Sequence, residues 1–188
     1  MRIQDITESS GYSLQGSFTK DLITSKVWLL TELNKISDSY GTIYVLGSWY
    51  GNIAVILNML GIISYDKLIN VETNKQMLSG SKKLLDILGA DNIQYMLKDA
   101  NTLDYRQLDN NSVIINTSLT DMKGIDWYNN IPDGILIAMQ GRDNDPGEKF
   151  SSPDDIVKKF PVDVVYKGML SLNDPETDYN RFMVIGYK

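Results

Sequence analysis

Apolar positions in this chain follow two alternating periods. From Asp21, the residues Leu22, Ile23, Val27, Leu29, Leu30, Leu33 and Ile36 recur at helical spacing, with Thr19 in the N-cap region. Gly41 breaks that pattern and admits a short apolar strand, Ile43 to Leu46. Next come a helix from Gly51 to Leu60, a strand from Lys67 to Glu72, a helix from Asn74 to Leu88 closed by Gly89, and a strand from Ile93 to Leu97. Strands alternating with helices of this length predict βαβ units and a parallel sheet.

The second half continues less regularly. Ser112 to Asn116 is a near-continuous apolar run of the kind buried on both faces. Met122 to Asn129 reads as a short helix or turn, Pro132-Asp133-Gly134 as a turn, and Ile135 to Gln140 as the next strand. A polar loop, Gly141 to Ser152, leads to a short helix capped near Ser152 and Asp154. Two last strands, Val162 to Leu172 and Arg181 to Tyr187, flank the polar connection Asn173 to Asn180, so the sheet ends in an antiparallel hairpin. Met1 to Phe18 is polar and without a clear period, and reads as an arm or lid. Residues 1–40 are expected to form a cap on one α/β domain, 41–188, within a chain of 188 residues.

Composition narrows the chemistry. The chain holds no His and no Cys, which excludes thiol nucleophiles, His general bases, Ser-His-Asp triads and the usual zinc sites. A formal net charge of −6 disfavours duplex nucleic acid, whose phosphates need a basic footprint. The lysine pairs Lys82-Lys83 and Lys158-Lys159 fall on predicted helices and read as solvated faces. There is no secretory h-region and no run of about 18 uncharged apolar residues, so a soluble, cytoplasmic protein without a membrane span is expected.

The stretch IYVLGSWYG carries the sharpest signal. A strand that turns through Gly47, Ser48, Trp49, Tyr50 and Gly51 into a helix start exposes main-chain N–H groups, the arrangement by which α/β folds hold nucleotide-like ligands. Glu72, with Thr73 beside it, closes the second strand about 20 residues later, where an acid can grip a ribose diol. Glu72 also suits the N-cap region of the next helix, and the separation favours the ribose role. Asp99 reads equally as a ligand contact and as the cap of a short helix near Leu103, work that Asn101 or Thr102 could share. Trp49 and Tyr50 are expected at the edge of the ligand crevice rather than in the core.

Asn116, Thr117 and Ser118 follow four apolar residues at the carboxyl end of a central strand, where chemistry occurs in such folds. Asp121 fits either a helix cap or a proton acceptor, and Tyr128 is the other nearby proton acceptor. Gln140, Arg142 and Asp143 end the fifth strand and open a polar loop that reads either as solvated or as the place where substrate is selected, with Arg142 suited to a carboxylate or phosphate on a small acceptor. Trp28 is expected to pack, Lys26 to face solvent, and Tyr166 and Arg181 to be sheet-surface pairs rather than ligands.

Together these residues resemble the class I S-adenosylmethionine-dependent methyltransferases over about Ile43 to Lys188. The resemblance implies a Rossmann-like sheet of seven strands, mostly parallel, with a C-terminal antiparallel hairpin and helices on both faces. It implies that S-adenosylmethionine lies on Gly47 and Gly51, that Glu72 holds its ribose hydroxyls, that Asp99 and Ala100 contact adenine, and that Asn116, Thr117 and Ser118 face the reactive methyl group. The family's loop often reads acid-x-Gly-x-Gly-x-Gly, whereas this chain has Val45 at the acid and Trp49 at the central glycine. The stretch NTSLTDMKGIDWYNNIPDGILIAMQ is also similar to a loosely characterised group of viral and bacterial methyltransferase-like proteins.

The expected function is methyl transfer to a small molecule or a protein group, with Asn116, Asp121 and Tyr128 as candidate catalytic residues and no metal. Two other readings stay open. A nicotinamide-dependent oxidoreductase shares the strand, turn and acid but lacks Gly-x-Gly-x-x-Gly here. A non-catalytic binding module of the same fold would have its crevice filled by Trp49 and Tyr50.

Overall fold

A computed structural model describes residues 14–144, 148–173 and 178–188. Most of the predicted arm, residues 1–13, lies outside the described residues, and its end forms a 3-10 turn at Leu14–Phe18. Helix α1 runs Lys20–Ile36, with Asp21 in its first turn and Lys35 in its last, each placed favourably for the helix dipole. Then come β1 (Ser39–Leu46), α2 (Asn52–Leu60), β2 (Ser64–Glu72), α3 (Lys75–Ile87), β3 (Ile93–Leu97), β4 (Ser112–Asn116), α4 (Asp126–Asn129), β5 (Leu136–Arg142), α5 (Pro153–Lys159), β6 (Asp163–Asn173) and β7 (Asp178–Tyr187).

The seven strands form one sheet in the order β3-β2-β1-β4-β5-β7-β6. Neighbours from β3 to β5 are parallel, and β7 runs antiparallel between β5 and β6. The expected sheet and terminal hairpin are therefore present. Boundaries differ where backbone pairing outlasts the apolar run: β1 starts at Ser39, before Gly41, and β5 carries Gly141 and Arg142, which the sequence pattern assigned to a loop. The expected helix from Met122 is regular only over Asp126–Asn129.

Strand alternation divides the interior into two layers. Ile43 and Val45 of β1, Val113 and Ile115 of β4, Leu136 and Ala138 of β5, and Met183 and Ile185 of β7 face α1 and α2, burying Leu29, Leu30, Leu33, Ile53 and Leu57. The opposite face packs Ile114, Ile137, Met139, Phe182 and Val184 against Trp127, Ile156 and Phe160. Helix α1, expected as a cap belonging to the same domain, shares the main core with β1 and β4. Caps fix the helix starts that matter for the site. The Asn74 side chain accepts from the Gln76 and Met77 amides to start α3, and Ser152 accepts from Asp155 ahead of Pro153 to start α5.

Among the described residues no helix is long and apolar enough to cross a membrane. The predicted solvated lysines Lys82 and Lys83 are exposed, Lys82 pairing with Asp86 one turn on. Lys158 is exposed as well, while Lys159 is half-buried and ion-paired to Glu148.

Candidate functional site

Strand order reverses between β1 and β4, and in an open α/β sheet the crevice lies outside the carboxyl ends of the strands at that point. A cavity of about 590 Å³ occupies it, within the range that holds a cofactor-sized ligand. Its walls come from the ends of β1 (Gly47, Trp49), β2 (Glu72, Thr73), β3 (Lys98, Asp99), β4 (Thr117, Ser118) and β5 (Arg142), with Lys26 of α1 and Arg181 of β7.

The turn after β1 is held by backbone bonds at both ends. Ser48 N–H donates to Val71 O at 3.0 Å and Gly51 N–H to Ser48 O at 2.8 Å. Gly47 (φ +60°) requires its lack of a side chain, because a Cβ there would stand 2.9 Å from Cβ and Oγ of Ser118. That close approach brings the loop after β4 against the turn, and Ser118 Oγ donates to Gly47 O at 3.3 Å. Trp49 is left-handed too, with φ 54°, an unusual conformation for a bulky side chain. What holds it is Glu72: Oε2 accepts from the Trp49 amide at 2.9 Å, while Oε1 accepts from the amides of Thr73 and Asn74, each at 2.9 Å. Glu72 is therefore not the helix cap, a role Asn74 takes, and its half-buried carboxylate sits on the cavity wall.

The other sequence candidates separate into those on the wall and those behind it. Gly47, Trp49, Glu72, Thr73, Asp99, Thr117, Ser118 and Asp121 line the cavity. Ser48 and Ala100 are buried and do not. Tyr50, expected at the crevice edge, is 1% exposed and packs with Met77 beneath the turn. Gly51 does not face the cavity either. It starts α2 at φ +73°, and a Cβ there would meet Ser81 Oγ at 2.2 Å, so this glycine lets α3 press against the turn.

Asn116 is buried, its Oδ1 accepting from Ser118 N–H at 3.0 Å and its Nδ2 facing the Met122 sulfur at 3.3 Å; it shapes the loop from behind. Asp99 does cap the 3-10 turn Ala100–Thr102, accepting from the Asn101 amide at 2.9 Å, and still lines the cavity. Tyr128 stands outside the site, because its ring packs edge-on to Trp127 and Phe160 and its hydroxyl donates to Pro161 O. Burial in that aromatic cluster pushes its pKa up, opposite to what a proton acceptor needs.

Two residues of the wall contradict their sequence-based expectations. Lys26, expected in solvent, is 3% exposed, and Arg181, expected on the sheet surface, is 4% exposed. The Lys26 ammonium donates to Gln140 Oε1 at 3.2 Å, and Gln140 Nε2 donates in turn to Ser25 O at 2.9 Å. Burial, and then Arg181 and Arg142 nearby, hold the Lys26 pKa well below the usual lysine range, with Asp121 and Asp21 opposing. Arg181 is held lower by burial and steadied by the Tyr179 hydroxyl, which donates to Asp21 Oδ2 at 2.5 Å. Tyr166 is instead structural, accepting from Trp28 Nε1 at 3.1 Å, which also bears out Trp28 as a packing residue.

No protein-family model and no curated protein matches the sequence. Solved structures do match in fold. A SAM-dependent methyltransferase from Aquifex aeolicus is 13% identical with a TM-score of 0.58, over 85% of this chain and 88% of that one. An rRNA methylase from Streptococcus thermophilus is 16% identical with a TM-score of 0.57, over 91% and 99%. Magnesium protoporphyrin IX methyltransferase from Synechocystis, crystallised with bound SAM, is 10% identical with a TM-score of 0.58, over 87% and 76%. The fold is the Rossmann-like fold of the class I S-adenosylmethionine-dependent methyltransferases.

Proposed function

We propose that this chain is an S-adenosylmethionine-dependent methyltransferase acting on a small molecule or a protein group. The observation that carries the proposal is the pairing across the switch point: the Glu72 carboxylate on the cavity wall, and the Gly47 turn brought against Ser118. The residues suit the cofactor's parts. Three amides and the Thr73 hydroxyl already engage Glu72, and Oε2, which accepts from the Trp49 amide, keeps a lone pair for one ribose hydroxyl, since an ionised carboxylate has about four acceptor sites. Asp99, Thr73 and Met77 offer polar and apolar contacts at the adenine end.

When bound, S-adenosylmethionine supplies a methyl group on a sulfonium that is already a good leaving group. The protein's task is to align an acceptor, and positioning of that kind accounts for much of a transfer rate. Thr117 and Ser118 stand where the acceptor would meet the methyl group, with Asn116 fixing their loop. Asp121 is the side chain placed to take a proton where the acceptor must lose one. Helix α1 caps the acceptor side through Leu22 and Lys26.

Two rival readings fare worse. A dinucleotide-binding sheet has the order 3-2-1-4-5-6, whereas here an antiparallel β7 is wedged beside β5. A filled, non-catalytic crevice is opposed by the open cavity beside Gly47, with Tyr50 packed beneath the turn instead. Calorimetry with S-adenosylhomocysteine tests the proposal. Saturable binding is expected, and ligand at a hundredfold excess over its dissociation constant should add about 2.7 kcal/mol of stability. No heat and no thermal shift at millimolar ligand would remove it.

A further inference from the structure

The antiparallel register sets Arg142 of β5 directly opposite Arg181 of β7. Directly opposed residues on neighbouring strands point to the same face, and like charges there repel. Lys26 descends from α1 onto that face, and all three side chains line the same end of the cavity. Lys26 and Arg181 are almost wholly buried, and the Arg181 Nε is buried with no hydrogen-bond partner. Two carboxylates act on this group of cations, Asp121 of the same wall and Asp21 of α1, and Asp21 is also engaged by the hydroxyls of Thr19 and Tyr179. The wall as a whole has five cations, Lys26, Lys98, Lys123, Arg142 and Arg181, against three acids, Glu72, Asp99 and Asp121, in a chain whose net charge is −6.

Three cations against two carboxylates leave an excess of positive charge at this end of the cavity, and gathering buried cations costs free energy that a bound anion offsets. We propose that Lys26, Arg142 and Arg181 form a subsite for an anionic group, a carboxylate or a phosphate, on the methyl acceptor. The inference rests on the methyltransferase proposal and adds the substrate class. Two guanidiniums presented side by side offer paired N–H donors to the two oxygens of a planar carboxylate or to two oxygens of a tetrahedral phosphate, and the ammonium adds a point charge. The position suits an acceptor. Strands lie about 4.8 Å apart, which puts Arg142 three strands and Arg181 four strands from Glu72, roughly 14 and 19 Å along the sheet. That end of the cavity lies beyond Thr117 and Ser118, on the far side from the ribose.

The same chemistry could belong to the cofactor's own carboxylate, and the experiment separates the two. Sulfate and malonate are titrated by calorimetry into the full chain, alone and saturated with S-adenosylhomocysteine, for the wild type, Arg181→Met, Lys26→Met and the half-buried Arg142→Gln, with the exposed Lys83→Met as control. Saturable binding of either anion to the loaded wild type, weakened at least tenfold in the three variants and unchanged in the control, is expected. Affinity for S-adenosylhomocysteine should stay within threefold throughout, and the tighter anion names the acceptor's group. Absence of anion binding in the wild type overturns the subsite. So does a tenfold loss of S-adenosylhomocysteine affinity in the variants with 5′-methylthioadenosine, which lacks the carboxylate, unaffected. If the wild type fails to bind S-adenosylhomocysteine, the methyltransferase proposal falls, while the anion titration of the unloaded chain still decides the subsite.

Discussion

Replacing Glu72 with alanine removes one acceptor that serves two turns. Its Oε2 holds the amide of Trp49, and its Oε1 holds those of Thr73 and Asn74, all at 2.9 Å. A hydrogen bond to a charged acceptor contributes about 1.5–3 kcal/mol where water is excluded, and less where water can replace it. Thr73 is exposed, so water takes over part of its end, whereas the Trp49 amide is partly buried and belongs to a residue already held at positive φ. The summed loss is about 2–3 kcal/mol, which for a chain of this size lowers the melting temperature by roughly 4–12 °C. Glu72→Gln separates the two ends, because its carbonyl can keep the Thr73 and Asn74 amides while its NH2 group opposes the Trp49 N–H. It should lose about half as much stability. Circular dichroism melts of the three proteins, with and without S-adenosylhomocysteine, decide the matter. An alanine variant melting within about 1 °C of wild type would refute the account of the turn. One that folds and binds ligand with wild-type affinity would refute the ribose role.

Gly47→Ala should cost about 1–3 kcal/mol and weaken ligand binding, since the new Cβ meets Ser118 at 2.9 Å. Gly61→Ala, at the same φ but in open space, is its control and should cost only the backbone strain, read by chemical denaturation. Gly51→Ala should be more damaging in the wild type than in a Ser81→Ala background, because removing Ser81 Oγ leaves Ser81 Cβ as the nearest atom, at 3.2 Å; equal losses in a double-mutant cycle would disprove the contact. Lys26 carries a pH signature. Its folded pKa is depressed by burial and by Arg181 and Arg142, with Asp121 and Asp21 opposing, so between that value and the unfolded 10.5 the unfolded chain binds more protons and stability rises with pH. Lys26→Met should flatten that rise in melts taken from neutral to alkaline pH, and an unchanged slope would assign it elsewhere.

Much of the path to the cavity was readable in the chain. The strands Ile93–Leu97 and Ser112–Asn116 have the extents their apolar runs predict, and the glycine turn and Glu72 fall at the strand ends that the alternation implies. What was missed is polarity on an apolar stripe. Lys26 shares the buried side of α1 with Leu22, Leu29, Leu30 and Leu33, and the same spacing that marked those leucines applies to it. Arg181 alternates with Met183 and Ile185 on the face toward α1, two strand positions apart each time. In both cases residue type suggested solvent while period suggested interior, and period was right. Tyr128 failed for another reason: nearness in sequence to Asp121 says nothing about the side chain's direction, and a single turn of helix carries it to the Phe160 cluster. The strand register that opposes Arg142 and Arg181 depends on long-range pairing, which local pattern does not encode.

The seclusion of the Lys26 amine has a practical use in a protein with no histidine and no cysteine. Side chains of ordinary acidity then leave the region from about pH 6 to 8 almost silent, apart from the α-amino group. A proton released or taken up by the interior on ligand addition can be followed there against a quiet background, simply by repeating calorimetry in buffers of different ionisation heat.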